Sequence, residues 1–244
     1  MKVAIPSHNR SNTIGKQALK FVLQDLEIPA ENVYVFVSNQ PMLEDYKKKI
    51  KEPVNFVCTD TDNVRDKFNY IHTYWTDGEN VLLVEDDMKG LATITDRHPK
   101  KIVQQGFQIM EQKNKFIWGI YPSSNKLFMQ QTISEGFAFI VANMYGFKAD
   151  GDRRILGTEH FKHDYERSIL YTIHKGGVIR INYVCPITNN YTNKGGMQDL
   201  DDRAAGEHQA CLNLMAKYPD YVDIKRGTKS RFTEIKFIRK IVND

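Results

Sequence analysis

Cysteine is scarce in this sequence, which has three in 244 residues, and no two of them stand as a CxxC pair. Cys58, Cys185 and Cys211 lie far apart, so neither a disulfide framework nor a structural zinc site is expected, and a reducing, cytoplasmic setting fits. Long hydrophobic runs are also missing. The longest, from Gly136 to Phe147, is interrupted by Asn143 and is too short to cross a bilayer as a helix. The opening strand runs into Pro6-Ser7-His8-Asn9-Arg10 before it reaches the length of a secretion signal, so no membrane partner is expected. No internal repeat, low-complexity tract or Pro/Gly/Ser linker divides the chain.

What is present is ordinary globular material, 41% apolar and 26% charged, enough for one large α/β domain spanning residues 1–244. Its net charge of +4 is mild. The stretch from Lys225 to Lys240, however, carries Lys225, Arg226, Lys229, Arg231, Lys236, Arg239 and Lys240 against Glu234 alone, a composition suited to phosphate contacts.

Hydrophobic periodicity gives the organisation. Strands are expected at Lys2–Pro6, Val33–Ser38, Val54–Cys58 and Val81–Val84, with helices at Ile14–Leu26, Met42–Ile50 and Val64–Trp75 between them. Strands separated by helices imply a mainly parallel twisted sheet with helices on both faces, and such sheets bind ligands at the carboxyl ends of their strands. Residues 1–98 would form a ligand-binding half. Residues 99–244 read as α+β, with helices at Lys100–Lys113 and His160–Ile173, strands at Phe116–Tyr121 and Phe137–Ala142, and a Gly-containing loop from Thr188 to Arg203.

The residues with chemical potential gather at those strand ends. The buried run Val81–Val84 leads directly into Glu85-Asp86-Asp87, hard oxygen ligands of the kind that hold Mg²⁺ or Mn²⁺ against a diphosphate. The same acids would also serve as caps for a following helix or turn. Pro6, Ser7, Asn9 and Arg10 offer hydrogen bonds and a guanidinium in the same crevice, or a turn capped at Ser11 or Asn12. Asn39 and Asp60, past the second and third strands, and Arg65 and Asn69 on the next helix complete the candidate nucleotide-binding set. Thr59–Asn63 followed by charged residues is equally well explained by a surface loop and a solvated helix face.

In the second half His163-Asp164-Tyr165-Glu166-Arg167 opens a helix on which Asp164 and Arg167 share a face. Asp164 is the candidate base for deprotonating an attacking hydroxyl. A surface ion pair is the competing explanation. Lys194, Gly195, Gly196 and Arg203 read as a loop that closes over phosphates, or as a simple surface loop. His174 and His208 show no metal-ligand spacing.

Taken together, Val3-Ala-Ile-Pro-Ser-His-Asn-Arg10, the helix from Val64-Arg65 to Asn69, and Leu82-Leu-Val-Glu-Asp-Asp87 resemble the nucleotide-binding half of family-2-type GT-A glycosyltransferases. The resemblance implies a metal-dependent transferase using a nucleotide sugar, a UDP-sugar by preference. Asp87 falls at the metal-binding aspartate, while Arg65 and Asn69 fall in the nucleotide-sugar-binding pattern. The later half, with His163–Arg167, Asn193–Gly196 and Tyr218-Pro219-Asp220-Tyr221, resembles viral glycosyltransferases associated with hydroxylated DNA pyrimidines. There the usual Glu-Asp pair appears as His163-Asp164. The implied acceptor is a hydroxymethylpyrimidine in phage DNA, with Arg167 and the cations from Lys194 through Arg226 as acceptor or phosphate contacts. One base candidate and no second nucleophile favour inversion. A transferase acting on glycan, protein or small acceptors, a nucleotidyltransferase and a non-catalytic nucleic-acid-binding module remain the alternatives.

Overall fold

The computed structural model describes residues 1–61, 63–123, 125–188, 202–227 and 232–238. Its centre is an eight-stranded sheet in the order β3-β2-β1-β4-β8-β6-β9-β7. The strands are β1 (Lys2–Pro6), β2 (Val33–Val37), β3 (Asn55–Cys58), β4 (Asn80–Val84), β6 (Ile117–Ile120), β7 (Ile133–Gly136), β8 (Met144–Lys148) and β9 (Val178–Ile181). Strands β3, β2, β1 and β4 are mutually parallel, β8 runs antiparallel between β4 and β6, and β9 is parallel to β6. A ribbon of β5 (Met88–Thr93) and β10 (Val184–Thr188) and a hairpin of β11 (Val222–Ile224) and β12 (Ile235–Phe237) lie apart from this sheet.

Side chains alternate across each strand, and both faces are buried. Val3, Ile5, Val33, Val35, Val37, Leu82 and Val84 enter one core, whereas Ala4, Phe36, Val81 and Leu83 enter the other. This explains why the first four strands read as near-continuous apolar runs. Helices α2 (Gln40–Lys49), α3 (Val64–Thr73), α4 (Pro99–Gln112) and α5 (His163–Lys175) cover the faces, and α6 (Arg203–Lys217) builds a satellite core with β11 and β12 around Cys211 and Leu214. Among the described residues no helix is long and apolar enough to cross a membrane. The three cysteines are free thiols.

Two expectations need correction. The segment Ile14–Leu26 is helical but irregular: a 3₁₀ turn at Ile14–Lys16, a single α-turn, α1 (Ala18–Lys20), and a π-turn at Phe21–Asp25. The i→i+5 bond from Leu26 N–H to Phe21 carbonyl, 3.0 Å, closes the π-turn, and Ile14, Ala18, Leu19, Phe21, Val22 and Leu26 are all buried along the segment.

The second correction concerns Phe137–Ala142, which is apolar but not a strand. Its backbone groups bond to side chains instead of a neighbouring ladder: Ser168 Oγ accepts from Ile140 N–H at 2.9 Å and Arg167 donates to the Ile140 carbonyl at 3.2 Å. Strands β7 and β8 flank it on either side.

Close packing at the sheet centre depends on two glycines. The fully buried Trp118 ring on β6 lies where a Cβ on Gly106 of α4 or Gly146 of β8 would stand. Gly146→Ala is therefore expected to destabilise the fold by about 1–3 kcal/mol through overpacking. Urea denaturation measures this, and a change within experimental scatter would show that Trp118 has room to move.

Candidate functional site

The parallel register of β1 on β4 pairs Lys2 with Val81, Val3 with Leu82 and Ala4 with Leu83. Continued past the strand ends, it sets Ser7 opposite Asp86. The Ser7 hydroxyl donates to Asp86 Oδ2 at 2.6 Å, and Arg10 Nη1 donates to Asp86 Oδ1 at 2.5 Å while standing 3.6 Å from Asp87 Oδ2. Tyr46, on the apolar face of α2 with Leu43, closes this arrangement. Its hydroxyl accepts from Arg10 N–H at 2.8 Å and lies 2.7 Å from Ser7 Oγ. Because the Ser7 proton goes to Asp86, the Tyr46 proton goes to Ser7. A run of hydrogen bonds from Arg10 N–H through Tyr46 and Ser7 to Asp86, closed by the Arg10 guanidinium on the other Asp86 oxygen, thus joins β1, α2 and the acidic end of β4. Burial pushes the Tyr46 hydroxyl up to about 12, so it stays protonated and able to donate.

Beneath the ring, the buried Lys67 of α3 donates to the Ser7 carbonyl at 2.6 Å. Burial lowers its ammonium to about 8, against the attraction of Asp86 and Cys58. Glu85 bonds differently from its neighbours: Asn143 Nδ2 donates to its Oε2 at 2.6 Å, and its own N–H donates to the Asn143 carbonyl at 2.9 Å. Burial raises the Glu85 carboxyl well above its usual range, and the facing charges of Asp87, Asp86 and Asp164 add to the shift while Arg10 opposes it. These four carboxylates form one electrostatic cluster.

Asp164 occupies the first turn of α5, near enough for its charge to act on Glu85. Burial raises its carboxyl, and Arg167 and Lys162 pull the other way. The surface ion pair considered from sequence is not what Arg167 makes. Arg167 is 5% exposed, its guanidinium lies over the Tyr145 ring at 3.9 Å, and it is anchored on the Ile140 carbonyl. Tyr145 in turn bonds to His72 Nε2 at 3.0 Å, and His72 is stacked on Phe147 at 4.1 Å.

The other expected residues make the following contacts. Asn39 caps α2 through Met42 N–H at 3.0 Å. Asn69 makes a reciprocal pair with the Gly157 backbone, at 2.8 and 3.0 Å, and Arg65 reaches the Thr158 carbonyl at 3.0 Å while pairing with Asp66. Both therefore fasten α3 to the loop before α5, leaving the Asn69 amide occupied. Asp60, in a left-handed turn, accepts from the Cys58 thiol at 3.2 Å. Asn9 is exposed in a left-handed turn beside Arg10, and Pro6 is buried at the end of β1. Arg203 pairs with Glu207 at 3.0 Å and faces Phe232. Lys225 pairs with Glu234 at 3.2 Å beside a depression lined by Asp223, Ile224, Arg226 and Lys236. Lys194, Gly195 and Gly196 lie outside the described residues.

Sequence reading missed Tyr46, Asn143, Tyr145 and His72. Tyr46 was legible only as an apolar-face residue three positions after Leu43. Nothing local in the sequence marks the other three, whose roles come from β8 and α3 meeting behind the acidic strand end.

The residues present suit a divalent ion held in part by a ligand. Among the described residues no three His, Cys, Asp or Glu side chains form a cage of their own. Ions such as Mg²⁺ are commonly held by one or two carboxylates plus phosphate oxygens and water. Arg10 pairs with Asp86 and stands near Asp87, Lys67 is attracted by Asp86, and Arg167 and Lys162 act on Asp164, so the acids are met by cations from three elements.

With this geometry defined, solved structures supply a comparison. The first 349 residues of S. aureus TarS bound to UDP-GlcNAc superpose with a TM-score of 0.55 at 14% identity, covering 88% of this chain and 67% of that one. The same TarS fragment in another crystal gives 0.51 at 13% identity, and this chain then spans 66% of that length. Mycobacterium tuberculosis glucosyl-3-phosphoglycerate synthase with Mn²⁺, UDP and phosphoglyceric acid gives 0.52 at 10% identity, covering 98% and 86%. The chain has the GT-A glycosyltransferase fold. No family model matches this GT-A chain, and no curated protein does either.

Two buried histidines give this GT-A chain a pH signature. Burial holds His72 and His163 down to about 3, from an ordinary value near 6.5. The unfolded chain takes up these protons below about 6.5 and the folded chain does not until about 3. Stability is therefore undiminished above pH 6.5 and falls as pH drops toward 3, by up to about 1.4 kcal/mol per pH unit per histidine. His72→Gln should make the fall between pH 6.5 and 4.5 shallower in urea unfolding. An unchanged slope would mean that His72 titrates normally in the fold.

Proposed function

We propose that the chain is a metal-dependent glycosyltransferase moving a sugar from a nucleotide sugar, a UDP-sugar by preference, to a hydroxyl acceptor. The observation that carries this reading is the meeting of Ser7, Arg10 and the acids Glu85 to Asp87 at the ends of two adjacent parallel strands, with the charge of Asp164 acting on the same acids. The neighbouring folds with bound UDP, UDP-GlcNAc and Mn²⁺ support it.

In this reading Pro6 to Arg10 and the edge of β4 receive the nucleotide diphosphate, with the Arg10 guanidinium available for phosphate oxygens. Asp87 would hold Mn²⁺ or Mg²⁺, which when bound neutralises charge developing on the leaving diphosphate. Asp164 takes the proton of the acceptor hydroxyl as that oxygen attacks the anomeric carbon on the side opposite the diphosphate, giving inversion. Its raised affinity for protons makes it a stronger base than an exposed carboxylate. Tyr145 and Arg167 back the helix that presents it.

For the acceptor, the sequence resemblance of the second half favours a hydroxymethylpyrimidine in DNA, and the cations Lys225, Arg226 and Lys236 around one surface depression support a phosphate-bearing partner. A hydroxymethyl group in the major groove would be within reach without extruding the base. Residues 1–98 would serve the donor and 99–244 the acceptor.

The test is release of nucleoside diphosphate from a panel of nucleotide sugars with Mn²⁺, with and without DNA containing 5-hydroxymethylcytosine. Stimulation by that DNA is expected, and donor turnover indifferent to DNA but raised by a free glycan would assign another acceptor. Asp164→Asn should lower kcat by about 10²–10⁴-fold with little change in donor KM, whereas Asp87→Ala should impair both. Full activity in both variants would remove Asp164 as the base and Asp87 as the metal ligand, and no turnover of any donor with Mn²⁺ would remove the transferase reading.

A further inference from the structure

The guanidinium of Arg10 stands where a cation is needed. It is 2.5 Å from Asp86 and 3.6 Å from Asp87, and the facing side chains are 14%, 7% and 8% exposed respectively, so the contact is largely shielded from water. A divalent ion ligated by Asp87 Oδ2 would sit about 2.0–2.2 Å from that oxygen. On the side facing Arg10 it would then overlap the guanidinium, so an ion can take that side of Asp87 only after Arg10 moves. Two further contacts make such a movement local. The Arg10 backbone N–H is fixed by Tyr46, and Asp86 keeps the Ser7 hydroxyl on its other oxygen. The side chain can therefore swing while the strand ends remain in register.

We propose that Arg10 is a displaceable counter-cation: it neutralises Asp86 and Asp87 in the empty site and yields to a divalent ion when a donor diphosphate draws its guanidinium away. This deepens the donor-site reading given above and rests on it. A guanidinium matches two phosphate oxygens as well as it matches a carboxylate, so the diphosphate offers Arg10 an equivalent partner. The exchange replaces one positive charge by two just as the leaving group adds negative charge. Nucleotide and metal are thereby coupled through one side chain, and by linkage each must tighten the other's binding equally.

The experiment is Mn²⁺ binding, read from the electron paramagnetic resonance signal of free Mn²⁺, with and without UDP, for wild type, Arg10→Ala and Arg10→Gln. Glutamine removes the charge but retains a donor for Asp86, so it reports even if the alanine variant folds poorly. In wild type, UDP should tighten Mn²⁺ binding at least about tenfold, within the usual range of coupling between two sites. Without UDP, either neutral variant should bind Mn²⁺ about tenfold more tightly than wild type, and its response to UDP should shrink accordingly. If wild type binds Mn²⁺ with UDP but the folded variants show no gain without it, the counter-cation role is overturned and the donor site stands. If no form binds Mn²⁺ even with UDP, both fall together.

Discussion

One serine hydroxyl sets the terms for the rest of the site. Ser7 Oγ receives a proton from Tyr46 and gives its own to Asp86, and both contacts are buried. The parallel register of β1 and β4 places Ser7 and Asp86 side by side, and burial on both faces of these strands leaves that register no freedom to slip. The ring through Tyr46 and Arg10 converts a property of sheet packing into the orientation of carboxylates. Loss of any member would leave a polar group without its partner in a place that water reaches poorly.

The second half of the chain contributes a counterpart built by other means. Within residues 137–142 both the N–H and the carbonyl of Ile140 bond to side chains of α5, Ser168 and Arg167, so this segment acts as a strap on α5 instead of a ladder. Arg167, stacked on Tyr145, presses the first turn of α5 against β8. Glu166 is fully buried one residue away and accepts from Thr158 N–H, Thr158 Oγ1, Glu159 N–H and the Tyr218 hydroxyl at 2.6–3.1 Å. Burial would raise its carboxyl, yet these donors hold it below its usual range. Asp164 thus projects from a helix end secured on both flanks.

How much of this was legible in the sequence depends on the range of the interactions. Strands β1 to β4 and helices α2 to α4 declare themselves by local periodicity, because each buries its apolar residues in a regular pattern. The acidic strand end was equally plain. The strap at residues 137–142 carried a strand's composition, and only the distant Ser168 and Arg167 make it something else. Asn69 and Arg65 illustrate the same limit. Their spacing fits a nucleotide-binding pattern, while their hydrogen bonds go to Gly157 and Thr158, some 90 residues away in sequence, which no local pattern reveals. Tyr46 is hidden for the opposite reason: a residue on the apolar face of an amphipathic helix looks like core, and its ring is core, with only the hydroxyl belonging to the site.

The reciprocal bonds between Asn69 and Gly157, continued through Thr158 into Glu166, bear on how this scaffold can change. Gly157 has little room for a side chain, since a Cβ there would stand 3.2 Å from Glu166 Oε2. Helix α3, which carries Asn69, and helix α5, which carries Asp164, are consequently stitched through a seam with almost no slack. Recombination that exchanged one half of the chain for a homologous one would have to carry the 157–166 seam and residues 65 and 69 together. Changes at surface loops away from residues 157–166 leave these contacts untouched, whereas a change at Gly157, Asn69 or Glu166 is felt by both helices at once.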